Sequence, residues 1–585
     1  MKKGEVYEGY ISDFDFPNKG SLFIEDRKVT VKETLPGQKV RFSISKKKTG
    51  MAEGRLLEVL EKSELEDIEP LCPYFGICGG CAYQNLSYKN QLRFKEDMVK
   101  KLIDKALPGH SYEWEGIIPS PVQNAYRNKM EFTFGDEYKD GPLALGLHKK
   151  GSFHDIVSVC EKTGCVIINS DWRKIVQFTL DFFRNRNVPY YHRMKHEGIL
   201  RNLVVRQSAA TGEFLINLVT STRWNTYGFD EKALLNEYVN DMVFLEKNGE
   251  LTEGGSIAGI LYTENDTLGD VVKSDRTTCL YGKDYITEEV IGLKFKISPF
   301  SFFQTNTKGC EVLYEKAREY IYESGSLNES DRAKLDLFDF ESESNGSSGK
   351  VVFDLYSGTG TIAQMMAPAS KKVIGIEIVE EAVEAARENA KLNGLTNCEF
   401  IAGDVLKAID LVSDKPDLII VDPPRDGINP KALDKILNFG VKQIVYISCK
   451  PTSLARDLKI MDEKGYKLVK ASCVDQFPFT RNIETVCLLS KLHETKHHIN
   501  VKVDMDELDL TSAEAKATYK EIEEWVQEHY GFHVTNLNIA QVKQKHGIIE
   551  RENYNKPKSE NSRQPGCPEE KVKAIEDALQ HFRMI

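Results

Sequence analysis

The sequence predicts a multidomain chain. It comprises a small N-terminal β-barrel of OB-like type, a central α+β domain, a doubly wound α/β domain and a small helical C-terminal extension. Three observations carry that prediction. At 585 residues the chain exceeds what a single core usually supports. Residues 1–62 break into short alternating runs, "EVYEGYISDF", "GSLFIEDRKVTV", "QKVRFSISKKK" and "GRLLEVLE", parted by Pro17-Asn18-Lys19-Gly20 and Pro36-Gly37. That is the pattern of an antiparallel barrel. From residue 350 the runs "KVVFDLYSGTG", "VIGIEIV", "CEFIAGDV", "DLIIVDPPR" and "VKQIVYISCK" are interleaved with helical ones such as "VEEAVEAARENAKLNG". That is the spacing of a parallel sheet wound with helices.

In chain order, the barrel (1–62) is locally basic. Nine Lys and Arg lie between Arg27 and Arg55, opposed within that stretch only by Glu33 and Glu53. Such a face suits an RNA backbone, or is simply a solvated face. The central domain (63–300) holds a thiol-rich segment, the helical run "NQLRFKEDMVKKLIDKAL" and strands such as "KMEFTFG", "LALGLHKKG", "LRNLVVRQSA", "EFLINLVTS" and "SIAGILYTEN". The α/β domain (301–495) opens with a helix near 302–322. It contains a Ser-, Gly- and acid-rich stretch at 324–349, read as a flexible insertion. Residues 496–585 are helical with interleaved charge, except for the disorder-prone "NYNKPKSENSRQPG".

Composition narrows the functional classes. No apolar run approaches the ~18 residues of a membrane span. The opening residues lack a secretory apolar core, so the expectation is a cytoplasmic protein with no membrane partner. Twelve scattered cysteines do not make a disulfide framework. The net charge of -11 argues against bulk adhesion to nucleic acid, but not against a local basic surface.

Cys72, Cys78 and Cys81 stand as C-x5-C-x2-C. Clustered thiols in a reducing compartment read as metal ligands, and their spacing leaves zinc and an iron–sulfur cluster both open.

Asp354-Leu355-Tyr356-Ser357-Gly358-Thr359-Gly360 is a strand entering a Gly-rich turn. It lacks the third glycine of a dinucleotide fingerprint and the Gly-Lys-Ser/Thr of a P-loop. Glu377 ends the next strand, where a carboxylate accepts ribose hydroxyls. Asp404 follows the third, placed for an adenine amino group, and Asp422-Pro423-Pro424 follows the fourth. A lone acid is usually a cap or a surface residue. This ordered series instead describes one crevice for a nucleoside cofactor without a phosphate cradle, as in S-adenosylmethionine (SAM) methyltransferases.

Asp-Pro-Pro also occurs in amino-group methyltransferases, usually followed by an aromatic residue; here Arg425 follows. Cys449 lies just past a β-branched strand, before Pro451 and a helix whose N-terminus favours a thiolate. An inert buried cysteine is the ordinary alternative. A thiolate beside a methyl donor fits one chemistry. Addition to uracil C6 makes C5 nucleophilic, and a base must later take the C5 proton. Glu484, before the last strand, supplies a carboxylate.

"SFFQTN", "DLYSGTG", "DPPRDG", "SCKPTSLARDL" and "QFPFTRNIETV" together resemble the RNA uracil-C5 methyltransferase family, over about residues 1–490. The resemblance is to its 23S ribosomal RNA branch, with an N-terminal TRAM barrel and a [4Fe-4S] cluster. It implies Cys449 as nucleophile, Glu484 as base, and Gln304, Tyr356, Glu377 and Asp422 around SAM, with Asp404 and Gly358 lining the same site. It shifts the thiols toward [4Fe-4S]. For the fourth ligand it favours Cys165, followed by "VIINSDWRKIV", over Cys160. The implied partner is 23S rRNA, taken by a monomer. A transfer-RNA substrate, a non-catalytic RNA-binding assembly factor and an amino-group enzyme are the alternatives; Cys449 with Glu484 speaks against the last two. Arg127 and Lys129, beside Tyr126, Phe132 and Phe134, are expected either to meet RNA by stacking and phosphate contact or to form an ordinary strand with an exposed basic face. The 324–349 insertion and the extension lie outside the resemblance.

Overall fold

A computed structural model describes residues 1–48, 50–152, 154–159, 164–269, 275–323, 350–491, 519–546, 567–582 and 584–585. The expected insertion at 324–349, Cys160 and the "NYNKPKSENSRQPG" stretch lie outside the described residues. The chain divides into two compact units, Met1–His493 and Glu494–Ile585.

The first unit begins with β1 (Val6–Tyr10), β2 (Asp13–Asp15), β3 (Lys19–Ile24), β4 (Arg27–Lys32), β5 (Lys39–Lys48) and β6 (Met51–Glu61). They form one sheet in the order β1-β5-β6-β4-β3-β2. Strict alternation sends Val40, Phe42 and Ile44 of β5 into a core with Leu22, Val29 and Val31, as period-two patterning requires. The basic stretch is less cationic than its sequence suggests, because pairing draws in acids from outside it. Lys28 meets Asp15, Lys39 meets Glu61, and Arg41 bridges Glu8 and Glu58. Within the stretch, Lys48 pairs with Glu53. Arg27, Lys32, Lys46, Lys47 and Arg55 stand outside those pairs.

Helix α1 (Tyr88–Ala106) and β7 (Glu113–Ile118) follow. The central sheet comprises β8 (Lys129–Asp136), β9 (Leu143–His148), β10 (Ile156–Ser158), β11 (Leu200–Gln207), β12 (Glu213–Thr220), β13 (Ser256–Glu264) and β14 (Arg276–Gly282). Their order is β10-β9-β8-β11-β12-β13-β14. Helices α2 (Ser170–Asn185) and α3 (Glu231–Lys247) pack on it through Trp172, Phe183, Tyr238 and Met242. Tyr126, Phe132 and Phe134 belong to this core, at 6%, 0% and 3% exposure. The expected stacking of RNA on these rings is therefore overturned: Phe132 packs against Trp172 and Phe134 against Phe183, while Tyr126 Oη donates to the Pro478 carbonyl at 2.9 Å. A hairpin, β15 (Ile286–Val290) and β16 (Leu293–Ile297), leads to α4 (Thr307–Glu323).

The third sheet contains β17 (Val351–Leu355), β18 (Lys372–Glu377), β19 (Cys398–Ala402), β20 (Leu418–Val421), β21 (Gln443–Ser448), β22 (Tyr466–Val474) and β23 (Glu484–Lys491). Its order is β19-β18-β17-β20-β21-β23-β22-β7. Strands β17 to β21 are parallel and β23 is antiparallel to β21. Helices α5 (Thr361–Met366), α6 (Glu380–Leu392), α7 (Val405–Ala408), α8 (Pro430–Asn438) and α9 (Pro451–Glu463) wind around it. Its edge strand β7 comes from far upstream, pairing Ala471 with Trp114.

The second unit contains α10 (Tyr519–Tyr530), α11 (Asn536–Lys545) and α12 (Glu569–His581). Ile522, Val526, Ile539, Val542, Ile575 and Leu579 form its core. Among the described residues no helix is long and apolar enough to cross a membrane.

Candidate active site

In a doubly wound sheet the carboxyl ends of parallel strands open on one crevice. Here β17 delivers Tyr356 and Gly358, β18 delivers Glu377, β19 leads to Asp404, β20 to Asp422 and β21 to Cys449. Because β23 is antiparallel, its first residue, Glu484, lies at that same edge. Together with Gln304 these residues line one cavity of ≈ 1570 Å³. That exceeds the usual range for a single small ligand, about 300–1,000 Å³.

The turn after β17 is built for close approach. Tyr356 holds a left-handed backbone, φ 67, as do Gly358 and Gly360 at φ 53 and 73. A Cβ on Gly360 would stand 2.6 Å from Phe400 Cε1. The N–H of Gly358 donates to Glu377 Oε2 at 3.0 Å and the N–H of Val379 to Oε1 at 3.0 Å. Each Glu377 oxygen is thus oriented and retains accepting capacity. Asp404 caps α7, with Leu406 N–H donating to Oδ1 at 2.9 Å. The Phe302–Gln304 wall is tethered from behind: buried Arg206 donates to the carbonyls of Pro299 and Ser301, and Asn128 Nδ2 donates to the Gln304 carbonyl at 3.0 Å.

The electrostatics centre on carboxyls. Burial pushes Asp422 up to about 7. Burial, and then Asp422, push Glu484 up to about 8, while Arg425 pulls it down. Asp354 lies fully buried beneath the turn, pushed up to about 8 by burial and by Asp422. Cys449 reverses the expectation of a stabilised thiolate. Burial first, then Glu484 and Asp422, push the thiol up to about 12, opposed by Arg425. Loss of water and two neighbouring carboxyls both disfavour the thiolate.

Reading the sequence for motifs missed several wall residues. Arg425 registered only as a departure from an aromatic, yet it moderates both Cys449 and Glu484 and donates to Asn482 Oδ1 at 3.1 Å. Arg127, expected at the RNA surface, lines this cavity with its guanidinium 6.0 Å from the Phe477 ring. Loop 475–483, which carries Phe477 and Asn482, is braced from α1. Fully buried Lys95 donates to Asp475 Oδ1 at 2.6 Å and to the Phe477 carbonyl at 3.0 Å. The Ala82 and Tyr83 N–H groups both donate to the Phe479 carbonyl, at 2.7 and 3.0 Å.

The thiols lie beside that brace. Cys72, Cys78, Cys81 and Cys165 are half-buried. Burial, and secondarily the charges of the other three, push Cys165 up to about 12; burial also pushes Cys81 up to about 11, with Cys78 and Cys72 adding to it. Gly80 N–H donates to Cys78 Sγ at 3.3 Å, a bond suited to a thiolate ligand. Four thiols that act on one another's charge match in kind a cluster held by four cysteines. Among the described residues, however, no group of three or more His, Cys, Asp or Glu is gathered so as to hold a metal ion.

Comparison with known proteins decides the family. A family model described as tRNA (Uracil-5-)-methyltransferase matches residues 312–492. An uncharacterized RNA methyltransferase of Clostridium tetani (strain Massachusetts / E88) is 47% identical over 487 residues, covering 83% of this chain and 98% of the relative. The chain belongs to the RNA uracil-C5 methyltransferase family. As a member, this methyltransferase takes SAM as its methyl donor. An uncharacterized RNA methyltransferase of Caldanaerobacter subterraneus subsp. tengcongensis is 44% identical over 491 residues, covering 84% of this chain and 100% of the relative. The fold of the methyltransferase is shared with the crystal structure of Pyrococcus abyssi tRNA (uracil-54, C5)-methyltransferase in complex with S-adenosyl-L-homocysteine. That match has a TM-score of 0.58 and 24% identity over 83% of this chain and 100% of the other.

Proposed function

We propose that this methyltransferase modifies C5 of a uridine in 23S ribosomal RNA, with Cys449 as nucleophile and Glu484 as base. The observation that carries the reading is that Cys449, Glu484 and Asp422 open on the same cavity as Gln304, Tyr356, Gly358, Glu377 and Asp404. Glu377 accepts ribose hydroxyls with oxygens already aligned by Gly358 and Val379. Asp404 offers its second oxygen to the adenine amino group. Tyr356, Gln304 and Asp422 complete the wall. When bound, SAM supplies an electrophilic methyl group.

Cys449 Sγ, its proton passed to water, adds to uracil C6 and sends the electron pair through C5 onto the C4 carbonyl. The resulting enolate is nucleophilic at C5, where the methyl group is accepted. Glu484 then takes the C5 proton, the C5–C6 double bond re-forms and the sulfur leaves as thiolate. A carboxyl pushed up to about 8 is matched to that task near neutral pH. Arg425 favours the ionised forms of both groups. Asp422, in the same lining, also holds the uracil in this reading.

Cys72, Cys78, Cys81 and Cys165 are proposed to hold a [4Fe-4S] cluster of structural role. The six-stranded N-terminal sheet is read as a TRAM barrel over residues 1–62, followed by a central domain to 300 and a methyltransferase domain to 495. The 496–585 extension is not needed for chemistry, and the enzyme acts as a cytoplasmic monomer. The rRNA assignment rests on the resemblance of barrel and thiols to that branch. Mapping 5-methyluridine in rRNA and tRNA from cells with and without the gene tests it. Loss of a 23S rRNA mark supports the reading, and loss of a tRNA mark alone replaces it with tRNA.

A further inference from the structure

One atom of the substrate gains charge in this reaction and still lacks a partner. When the Cys449 sulfur bonds to C6, the C5–C6 π electrons move through C5 onto O4, and that oxygen becomes anionic. Asp422 and Glu484 line the cavity beside Cys449, and a carboxylate has no hydrogen to offer an enolate. A fixed hydrogen-bond donor at O4 is what lowers the barrier. We propose that Asn482 is that donor and a further catalytic residue: its Nδ2 donates to uracil O4, in a bond that strengthens as the enolate forms. This role rests on the reading of Cys449 as the nucleophile that attacks uracil C6.

The amide of Asn482 can face only one way. Its Oδ1 lies 3.1 Å from Arg425 Nη2. A guanidinium donates and never accepts, so the carbonyl end is turned to Arg425 and the amino end away from it. Among the described residues Nδ2 meets no acceptor, while the half-buried residue lines the catalytic cavity. Both Nδ2 hydrogens are therefore left for a ligand.

Its place suits O4. Asn482 stands two residues before Glu484, and its partner Arg425 acts on both Cys449 and Glu484. O4 is carried by C4, the ring neighbour of C5, where Glu484 takes its proton. A base at C5 and a donor at O4 belong side by side.

The residue is also held before substrate arrives. Its N–H donates to Thr480 Oγ1 at 3.2 Å, and Thr480 Oγ1 donates to the Phe477 carbonyl at 2.9 Å. Its carbonyl accepts from the fully buried Lys95 at 3.3 Å. A donor fixed in this way costs no reorganisation at the moment of reaction. Arg425 adds to its strength, because an amide whose oxygen accepts from a cation is polarised to donate more strongly through its nitrogen.

The test uses full-length protein, saturating SAM, and transcripts of 23S rRNA and of tRNA made with 5-fluorouridine in place of uridine. Fluorine cannot leave C5 as a cation, so the sulfur stays bonded to C6 after methyl transfer. The rate at which denaturant-resistant adduct forms then reports addition and methylation, without proton removal. At saturating RNA, Asn482→Ala should lower that rate by about 10²–10³-fold. Asn482→His, in which Nδ1 accepts from Arg425 and Nε2–H donates, should restore most of it. Alkylation of Cys449 by iodoacetamide without RNA should match wild type in Asn482→Ala, since the donor acts on O4 and not on sulfur. Adduct formation at the wild-type rate in Asn482→Ala overturns the assignment: a residue that merely places Glu484 affects only the later proton removal. A slower adduct matched by equally slower alkylation also overturns it, because Asn482 would then act only by placing Arg425. An adduct that persists in Cys449→Ala, or none in wild type, overturns instead the underlying reading of the nucleophile.

Discussion

Cys449 and Glu484 flank one cross-strand pair: Ser448, the last residue of β21, pairs with Thr485 of antiparallel β23, and Cys449 and Glu484 are the next residues along the two segments. Glu484 accordingly acts on the Cys449 thiol. The proposed nucleophile and base owe their proximity to the reversal of β23.

The thiol should be sluggish before substrate binds. With its pKa pushed up to about 12 by burial, Glu484 and Asp422, Cys449 carries little thiolate at neutral pH. Its alkylation by iodoacetamide, followed by peptide mass spectrometry, should rise with pH beyond 9. Replacing a neighbouring carboxyl lowers the thiol pKa, so Glu484→Gln and Asp422→Asn should alkylate faster than wild type at pH 8. Slower alkylation in both would remove the carboxyls as the cause.

The two proposed catalytic residues should fail differently. Cys449→Ala should bind SAM and RNA and form no covalent adduct. Glu484→Gln should attack and methylate, then stall, accumulating a denaturant-resistant protein–RNA adduct while product release slows by about 10²–10⁴-fold. Because a carboxyl near 8 must ionise to act, the wild-type release rate should climb as pH rises through about 8. That limb should vanish in Glu484→Gln. An active Cys449→Ala enzyme would sink the mechanism.

Protein purified without oxygen should contain about four irons and four sulfides per chain. Cys165→Ser should lose them and Cys160→Ser keep them. Stoichiometric zinc without iron, measured by elemental analysis, would reject the cluster.

Lys95 and Asp475 are both fully buried, at 0% side-chain exposure. Lys95→Met strands a carboxylate and should destabilise by about 3–5 kcal/mol. Lys95→Met with Asp475→Leu removes both charges and should recover much of that loss. Urea unfolding compares the two, and a double variant no better than the single one refutes the pairing argument.

Much of this architecture was legible because its signals are local. Period-two runs mark β5, and the ordered acids Glu377, Asp404 and Asp422 each sit just past a strand. What escaped is non-local. Nothing in "YEWEGII" announces that β7 will pair with β22, more than 350 residues later. Tyr126, Phe132 and Phe134 alternate with Arg127 and Lys129, but alternation alone does not say which face is covered; α2 covers the aromatic one. The thiolate expectation for Cys449 weighed only the helix it precedes. The opposing carboxyls come from β20 and β23, which the local sequence does not bring into view. Lys95 reads as one more charge on a charged helix until Asp475 arrives beside it.

The brace between Lys95 and the loop before Glu484 also governs when the enzyme becomes competent. Its two halves are 380 residues apart in the chain. A ribosome adding about 5–20 residues per second needs roughly 20–75 s to cover that interval. During it Lys95 remains hydrated, and the Ala82 and Tyr83 amides have no Phe479 carbonyl to bind. A nascent chain can display the N-terminal sheet and the thiol segment well before it can complete the catalytic cavity, so methylating capacity arrives only with the last part of the first unit.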